Sequence, residues 1–351
     1  MNVIGENIKK NRLKNQLSTR DLAKIIGVSH TAVNKYEKGI LSPNKKMIRK
    51  MARIFKVKTQ KLVTDISTQI DIKDIRYRDD NKITQKNKDL AEYLTKEKLE
   101  KYSQLLEYFP NDRFKFFDVE KFKEEIYSLE DVEKIMPNVR KNLGIGELGI
   151  FNLLELLENN GLIVLFIDPM AGFTAQEGYI KEKYLFITLC TESTGDMERV
   201  SLSNELARLI LDIKSTELEP NKIITKFTEE LLISREVIFS DLGKKRKKLS
   251  FYELVKLKEK YRLSITDIIL RALHLKIITE NEKIRLFNSM KKHNMEYEEI
   301  VEIEKEKSTK LERIVIEAVL EKYIDHKKGA EFLNVNEKEF LDIIDDKKIK
   351  L

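Results

Sequence analysis

The 351-residue chain has one cysteine, five prolines, twelve glycines, four histidines and no tryptophan. The lone thiol, Cys190, excludes an internal disulfide framework and a cysteine-rich zinc finger. His30, His274, His293 and His326 are too few and too scattered for a histidine-rich metal site, so no metal or cofactor is expected. Scarce Gly and Pro imply short loops and a chain dominated by helices. Long apolar runs are missing as well: the longest near the middle, Gly161 to Ile167, is far too short to cross a bilayer. The opening residues, MNVIGENIKK, lack the apolar centre of a secretion signal. A soluble cytoplasmic protein with no membrane partner is the expectation, and at about 150 residues per domain it should have two or three domains.

Charge is abundant and unevenly placed. The net charge is +7, yet residues 1–65 carry 16 Lys/Arg against 4 Asp/Glu, a surplus of +12 that leaves the remainder at −5. A polyanion partner is the simplest reason for such a block, because each phosphate neutralised releases a counterion.

Within that block apolar residues recur at helical spacing, at Ile4, Ile8, Leu13 and Leu17. Ser18 is a good N-cap, and Asp21 three residues later makes a short capping box for a second helix. Gly27 permits the left-handed conformation that ends it, and Ser29 caps a third helix closed by Gly39. Small Ala23 lets the two helices cross closely, with Leu22, Ile26, Val28 and Val33 wedged between them. A fourth helix follows Ser42-Pro43-Asn44 and a fifth runs from Thr59 to Val63. This spacing is that of a helix-turn-helix.

The stretch LSTRDLAKIIGVSHTAVNKYEKG resembles the XRE-type, lambda-repressor-like DNA-binding domains over residues 1–65. The resemblance implies double-stranded DNA as partner, with the third helix entering the major groove. Its exposed residues would then be Ser29, His30, Thr31, Asn34 and Lys35, with His30 facing DNA rather than a metal. Asn can read adenine and a Thr methyl can touch thymine. Lys38, Lys45 and Lys46 suit phosphate contacts, which position without specifying. Thr19 stands where the family often has Gln; it can still bond a phosphate or a base, over a shorter reach.

Residues 66–128 read as a linker containing a short strand around Ile70, Ile72 and Ile75, then a long amphipathic helix from Thr84 to Tyr108 stopped before Pro110. That helix is either a dimerisation arm or a face packed on a neighbouring domain. Residues 129–249 read as α+β: helices at 129–141 and 151–158, buried strands at 162–167 and 183–190 joined by a loop or edge hairpin, and helices at about 197–212 and 223–233.

The order LLELLENNGLIVLFID, YIKEKYLFITL, RVSLSNELARLIL, KFTEELLIS resembles the ImmA/IrrE family of zincin-like metallopeptidases. The resemblance implies an H-E-x-x-H helix, but this chain has Asn204-Glu205-Leu206-Ala207-Arg208, and Ile223 stands where the third, carboxylate ligand belongs. Only Glu205, matching the general base, survives. No histidine lies between His30 and His274, and Arg208 sets a fixed positive charge one turn from Glu205. Catalytic and metal residues are therefore not expected. Either Glu205 and Arg208 form an i, i+3 pair, or the retired cleft takes a small ligand or a protein segment.

Residues 250–351 read as a helical domain with N-caps at Ser264 and Thr279 and a final helical pair at about 308–323 and 326–346. KKGAEFLNVNEKEFLDI has the pattern of a helix-turn-helix start, but Glu337 to Ile344 is acidic apart from Lys338, so a helical cap or protein-contact surface is expected rather than DNA contact. The basic run Lys244-Lys245-Arg246-Lys247-Lys248 reads as an exposed loop. The whole is expected to be mainly α with a small β-sheet. As a function, the resemblances imply a homodimeric DNA-binding transcriptional regulator, a repressor of the prophage or mobile-element type. Its inactive peptidase-like domain would sense an effector or dock an inducer protein. Two alternatives stay open: an antitoxin of a toxin–antitoxin pair, or an active zinc metallopeptidase.

Overall fold

The computed structural model describes residues 3–15, 17–63, 70, 72–78, 82–110, 114–146, 149–192, 194–215, 217, 219–292 and 301–350. The elements are, in chain order, α1 (Val3–Lys14), α2 (Thr19–Ile26), α3 (His30–Glu37), α4 (Lys45–Ile54), α5 (Gln60–Val63), β1 (Ile72–Tyr77), α6 (Gln85–Tyr108), α7 (Val119–Phe122), β2 (Glu124–Ile126), α8 (Asp131–Leu143), α9 (Leu153–Asn159) and β3 (Ile163–Ile167). They continue as β4 (Ala175–Ile180), β5 (Tyr184–Cys190), α10 (Gly195–Ile210), β6 (Leu211–Ile213), α11 (Pro220–Leu232), α12 (Arg235–Leu242), α13 (Phe251–Tyr261), α14 (Ile265–His274), α15 (Glu280–Lys292), α16 (Lys310–Leu320), α17 (His326–Leu333) and α18 (Glu337–Lys350). The fold is mainly α with a small β component, as its scarce Gly and Pro imply.

Two compact units divide the chain, residues 1–110 with 167–182 and residues 111–166 with 183–351. In the first, a cluster drawn entirely from residues 4–62 forms a core around Ile8, Leu22, Ile26, Val33, Met51 and Leu62. Strand β1 pairs antiparallel with β4, Ile72 opposite Ile180 and Tyr77 opposite Gln176. The register slips between Lys73 and Arg76, where Asp74 takes a left-handed φ of 54°. Thr84 caps α6 through the Asn87 N–H, and the helix buries Leu90, Ala91, Leu99, Tyr102 and Leu105. Glu97 of α6 meets Lys14 of α1 at 2.5 Å. The apolar stripe of α6 is thus buried, with α6 packed against α1. The segment read from the sequence as a loop or edge hairpin contains strand β4, whose Gln176 is buried against Thr95 of α6.

In the second unit β3 lies beside β5, and the three-residue strands β2 and β6 pair in parallel, Glu124 opposite Leu211 and Ile126 opposite Ile213. Helix α10 packs on α11. The caps expected at Ser264 and Thr279 are made, to the N–H groups of Asp267 (2.9 Å) and Glu282 (3.4 Å). In the basic run Lys244, Lys245, Lys247 and Lys248 are exposed, whereas Arg246 bonds Glu253 at 2.6 Å. Among the described residues no helix is long and apolar enough to cross a membrane.

Candidate nucleic-acid interface

The α2–turn–α3 unit is built by local chemistry. The Ser18 hydroxyl accepts the Asp21 N–H at 3.0 Å while the Asp21 carboxylate accepts the Ser18 N–H at 2.8 Å, a reciprocal capping box. Hydrogen bonding to the Ser18 side chain, and then to its backbone N–H, holds the Asp21 carboxyl below its ordinary range. Gly27 ends α2 at φ 77°, a conformation that an L side chain resists, and both Gly27 and Val28 donate N–H groups to the Ala23 carbonyl. Lys50 of α4 reaches back to the Ile26 carbonyl at 2.9 Å and helps close the same helix end. Ser29 then caps α3 by accepting the Ala32 N–H at 3.1 Å.

Val33 is fully buried, which fixes the roll of α3 and turns the opposite face outward. Ser29, His30, Thr31, Asn34, Lys35 and Lys38 are all exposed, as are Lys45 and Lys46 at the start of α4. Thr19, at the first turn of α2, is half-buried. The Ser29 hydroxyl is engaged in its cap, so its service is structural before it is anything else. Every basic group named for DNA contact is therefore on the surface, and the face offers an exposed amide, Asn34, between the ammonium groups of Lys35 and Lys38.

Two features of this face escaped the pattern reading. Just beyond α3, Ile40 is 69% exposed and Leu41 45% exposed, an apolar step between Lys38 and Lys45. Arg12 belongs to the basic surplus by count and not by position. It is buried, and its guanidinium grips both oxygens of Glu37 at 2.6 and 2.9 Å and the Leu17 carbonyl at 2.8 Å. The pair bolts α1 to the end of the candidate recognition helix. Arg12 lies four residues after Ile8 on the apolar stripe of α1, and that placement is the sequence signal that would have found it.

The second group of singled-out residues lies on α10 and α11. Asn204 is half-buried, and its side-chain oxygen accepts the Thr228 hydroxyl at 2.7 Å, which in turn accepts the buried Ser203 hydroxyl at 3.2 Å. Arg208 Nε stands 3.6 Å from Glu205, the i, i+3 approach expected, and its Nη2 donates to Asn221 at 3.3 Å. Ile223 is fully buried in the α10–α11 packing. Among the described residues no group of three His, Cys, Asp or Glu side chains is arranged to hold a metal ion.

Residues 8–62 match the helix-turn-helix family model. No curated protein and no solved structure gave a match. The matched span contains the capping box, the left-handed Gly27 and the whole of α3, and it carries the reading of this segment as the DNA-binding part of a transcription regulator.

Proposed function

We propose that the protein is a sequence-specific transcription regulator of the repressor type, at home in a prophage or mobile element. It would bind operator DNA as a homodimer through α3. The observation that carries this reading is the exposed row His30, Thr31, Asn34, Lys35 and Lys38 on a helix held by its own buried core. A dimer would span two half-sites about one helical turn apart, or a multiple of it. An effector molecule or inducer protein that binds residues 80–350 better in a form incompatible with that spacing would lower DNA affinity by the ratio of its two affinities.

Crosslinked-DNA sequencing in the native cell tests this directly, since a regulator enriches a small set of promoter sites. On the operator so found, Asn34→Ala should weaken binding by ~1–3 kcal/mol and flatten the preference at one base position. Lys38→Ala should weaken all sequences alike and reduce the salt slope by about one contact. Undiminished discrimination by the Asn34 variant would remove α3 from the major groove.

For residues 129–249 the reading is a peptidase-like scaffold without peptidase chemistry, not an enzyme. Its support is the side-chain set itself. Asn204 is engaged with Thr228, Arg208 brings a guanidinium to Glu205, and Ile223 is apolar and buried. A carboxylate serves as general base in such a site by deprotonating a metal-bound water, and these three residues offer that metal nothing. Glu205→Gln should accordingly leave operator affinity and induction within about twofold of the parent. Loss of induction in that variant, or one zinc per chain by elemental analysis, would restore the metallopeptidase reading.

A further inference from the structure

Residues 301–309 cross the second unit as a segment with no helix or strand of its own. The body of that unit takes hold of them almost residue by residue. Gly195 donates its N–H to the Ile303 carbonyl at 2.9 Å, and Arg262 donates to the Glu304 carbonyl at 2.7 Å. Lys305 pairs with Glu198 at 3.1 Å and donates to the Glu192 carbonyl. Glu306 pairs with Arg199 and accepts the Leu154 N–H at 2.8 Å, and Ser308 donates to Glu158. The body thus presents acid, base and acid in turn, and the segment answers with base, acid and hydroxyl. Glu158, Glu198 and Arg199 are all buried. Burying charge is a costly way to fasten a segment to a core, and what fixed charges add is selection of the sequence that lies against them.

The resident segment does not complete this site. Arg199 Nε is buried and has no hydrogen-bond partner among the described residues, although the other two guanidinium nitrogens are engaged. Beside Glu306 and Arg199 the segment leaves a small cavity walled by Leu154, Phe166 and Leu202. None of residues 304–308 is apolar, so nothing next to the Glu306 carboxylate suits that wall.

We propose that the surface between α9 and the first turn of α10 is a docking site for an extended peptide segment of a partner protein. That segment carries a carboxylate with an apolar side chain close to it, and residues 301–309 hold its place until it arrives. The same segment of a second copy is not the occupant. It makes the contacts the resident already makes, and the resident has the advantage of being tethered. Only a different sequence, one that gives Arg199 Nε an acceptor and fills the cavity, outcompetes it. The site stands on the second unit alone; its use as the step of induction rests on the regulator reading above.

Fluorescence polarisation on the full chain tests this with a synthetic peptide of residues 301–309. A second set of peptides carries leucine or phenylalanine at each position in turn except that of Glu306. The unaltered peptide should bind the parent weakly. It should bind Glu306→Arg, whose own segment is repelled from Arg199, at least about tenfold more tightly. At least one apolar peptide should bind the parent itself about tenfold more tightly than the unaltered one, and should open residues 301–309 of the parent to limited proteolysis. Glutamine in place of the carboxylate matching Glu306 should remove both gains. Lys305→Glu sets an acid against Glu198 and releases the segment by a different charge, so the test survives if Glu306→Arg does not fold. No gain in either released chain, no apolar peptide that displaces the segment, or equal binding of the glutamine peptides would overturn the proposal. None of these arms reads DNA, so failure of the DNA-binding reading would leave their outcome unchanged.

Discussion

Replacing Arg12 with alanine should destabilise the first unit by ~3–5 kcal/mol, although no surface or DNA-facing group is touched. The side chains of Arg12 and Glu37 are 6% and 8% exposed, so the charges have exchanged nearly all their water for each other. Removing the guanidinium takes away the fork that holds both oxygens of the buried Glu37 carboxylate, and takes the same donor from the Leu17 carbonyl. Because Glu37 ends α3, the loss should also loosen the helix that carries Asn34 and Lys38. Hydrogen exchange on the full chain resolves the effect: amides of α1 to α3 should lose protection together, while the second unit keeps its own. Arg12→Met with Glu37→Leu should recover most of the loss, because two apolar groups of similar size leave no buried charge. A cost below about 1 kcal/mol for Arg12→Ala would mean that water reaches Glu37 in solution, and the pair would then be an ordinary surface bridge.

How much of this was written in the sequence follows from how local each feature is. The turn between α2 and α3 rests on Ser18, Asp21, Gly27 and Ser29, each acting within three or four residues, and all four are legible from the chain alone. The exposed face of α3 follows from Val33 by helical period. Strand β4 is different. Its Gly178, Gln176 and Glu177 suit a loop and an edge hairpin alike, and what makes it a strand is that β1 pairs with it and α6 buries Gln176, partners about 80 to 100 residues away. Strands β2 and β6, at three residues each, are too short for any period to register. The C-terminal pattern shows a helix-turn-helix start, but that Asn334, Val335 and Asn336 match Gly27, Val28 and Ser29 emerges only from their hydrogen bonds. Likewise the Glu205–Arg208 approach is visible from i, i+3 spacing, whereas the Ser203–Thr228–Asn204 chain requires α11 to lie against α10.

In the second unit, Arg199→Ala should cost ~3–5 kcal/mol and free the segment at residues 301–309 from the start of α10. Arg199 is 1% exposed, and burial holds its pKa below the usual guanidinium value. It donates to the Ile150 carbonyl at 2.9 Å and forms an ion pair with Glu306, whose second oxygen accepts the Leu154 N–H at 2.8 Å. One carboxylate from the 301–309 segment thus ties α10 to the first turn of α9. Without the guanidinium it would be a buried anion held by a single N–H, and leaving is cheaper than staying. The segment is also threaded closely past α10. Gly195 N–H donates to the Ile303 carbonyl at 2.9 Å, and a Cβ at Gly195 would stand 2.2 Å from the Glu304 carbonyl oxygen. Gly195→Ala should therefore expel the segment from the other side, with no charge involved. Lysine at position 199 should not rescue, because an ammonium cannot reach the carbonyls of Ile150 (2.9 Å) and Phe151 (3.5 Å) and a carboxylate in one plane. Limited proteolysis reads all three variants, each expected to open a cleavage site within 301–309 that the parent protects. If Arg199→Ala left that segment protected while Gly195→Ala exposed it, backbone fit rather than the ion pair would be what holds it down.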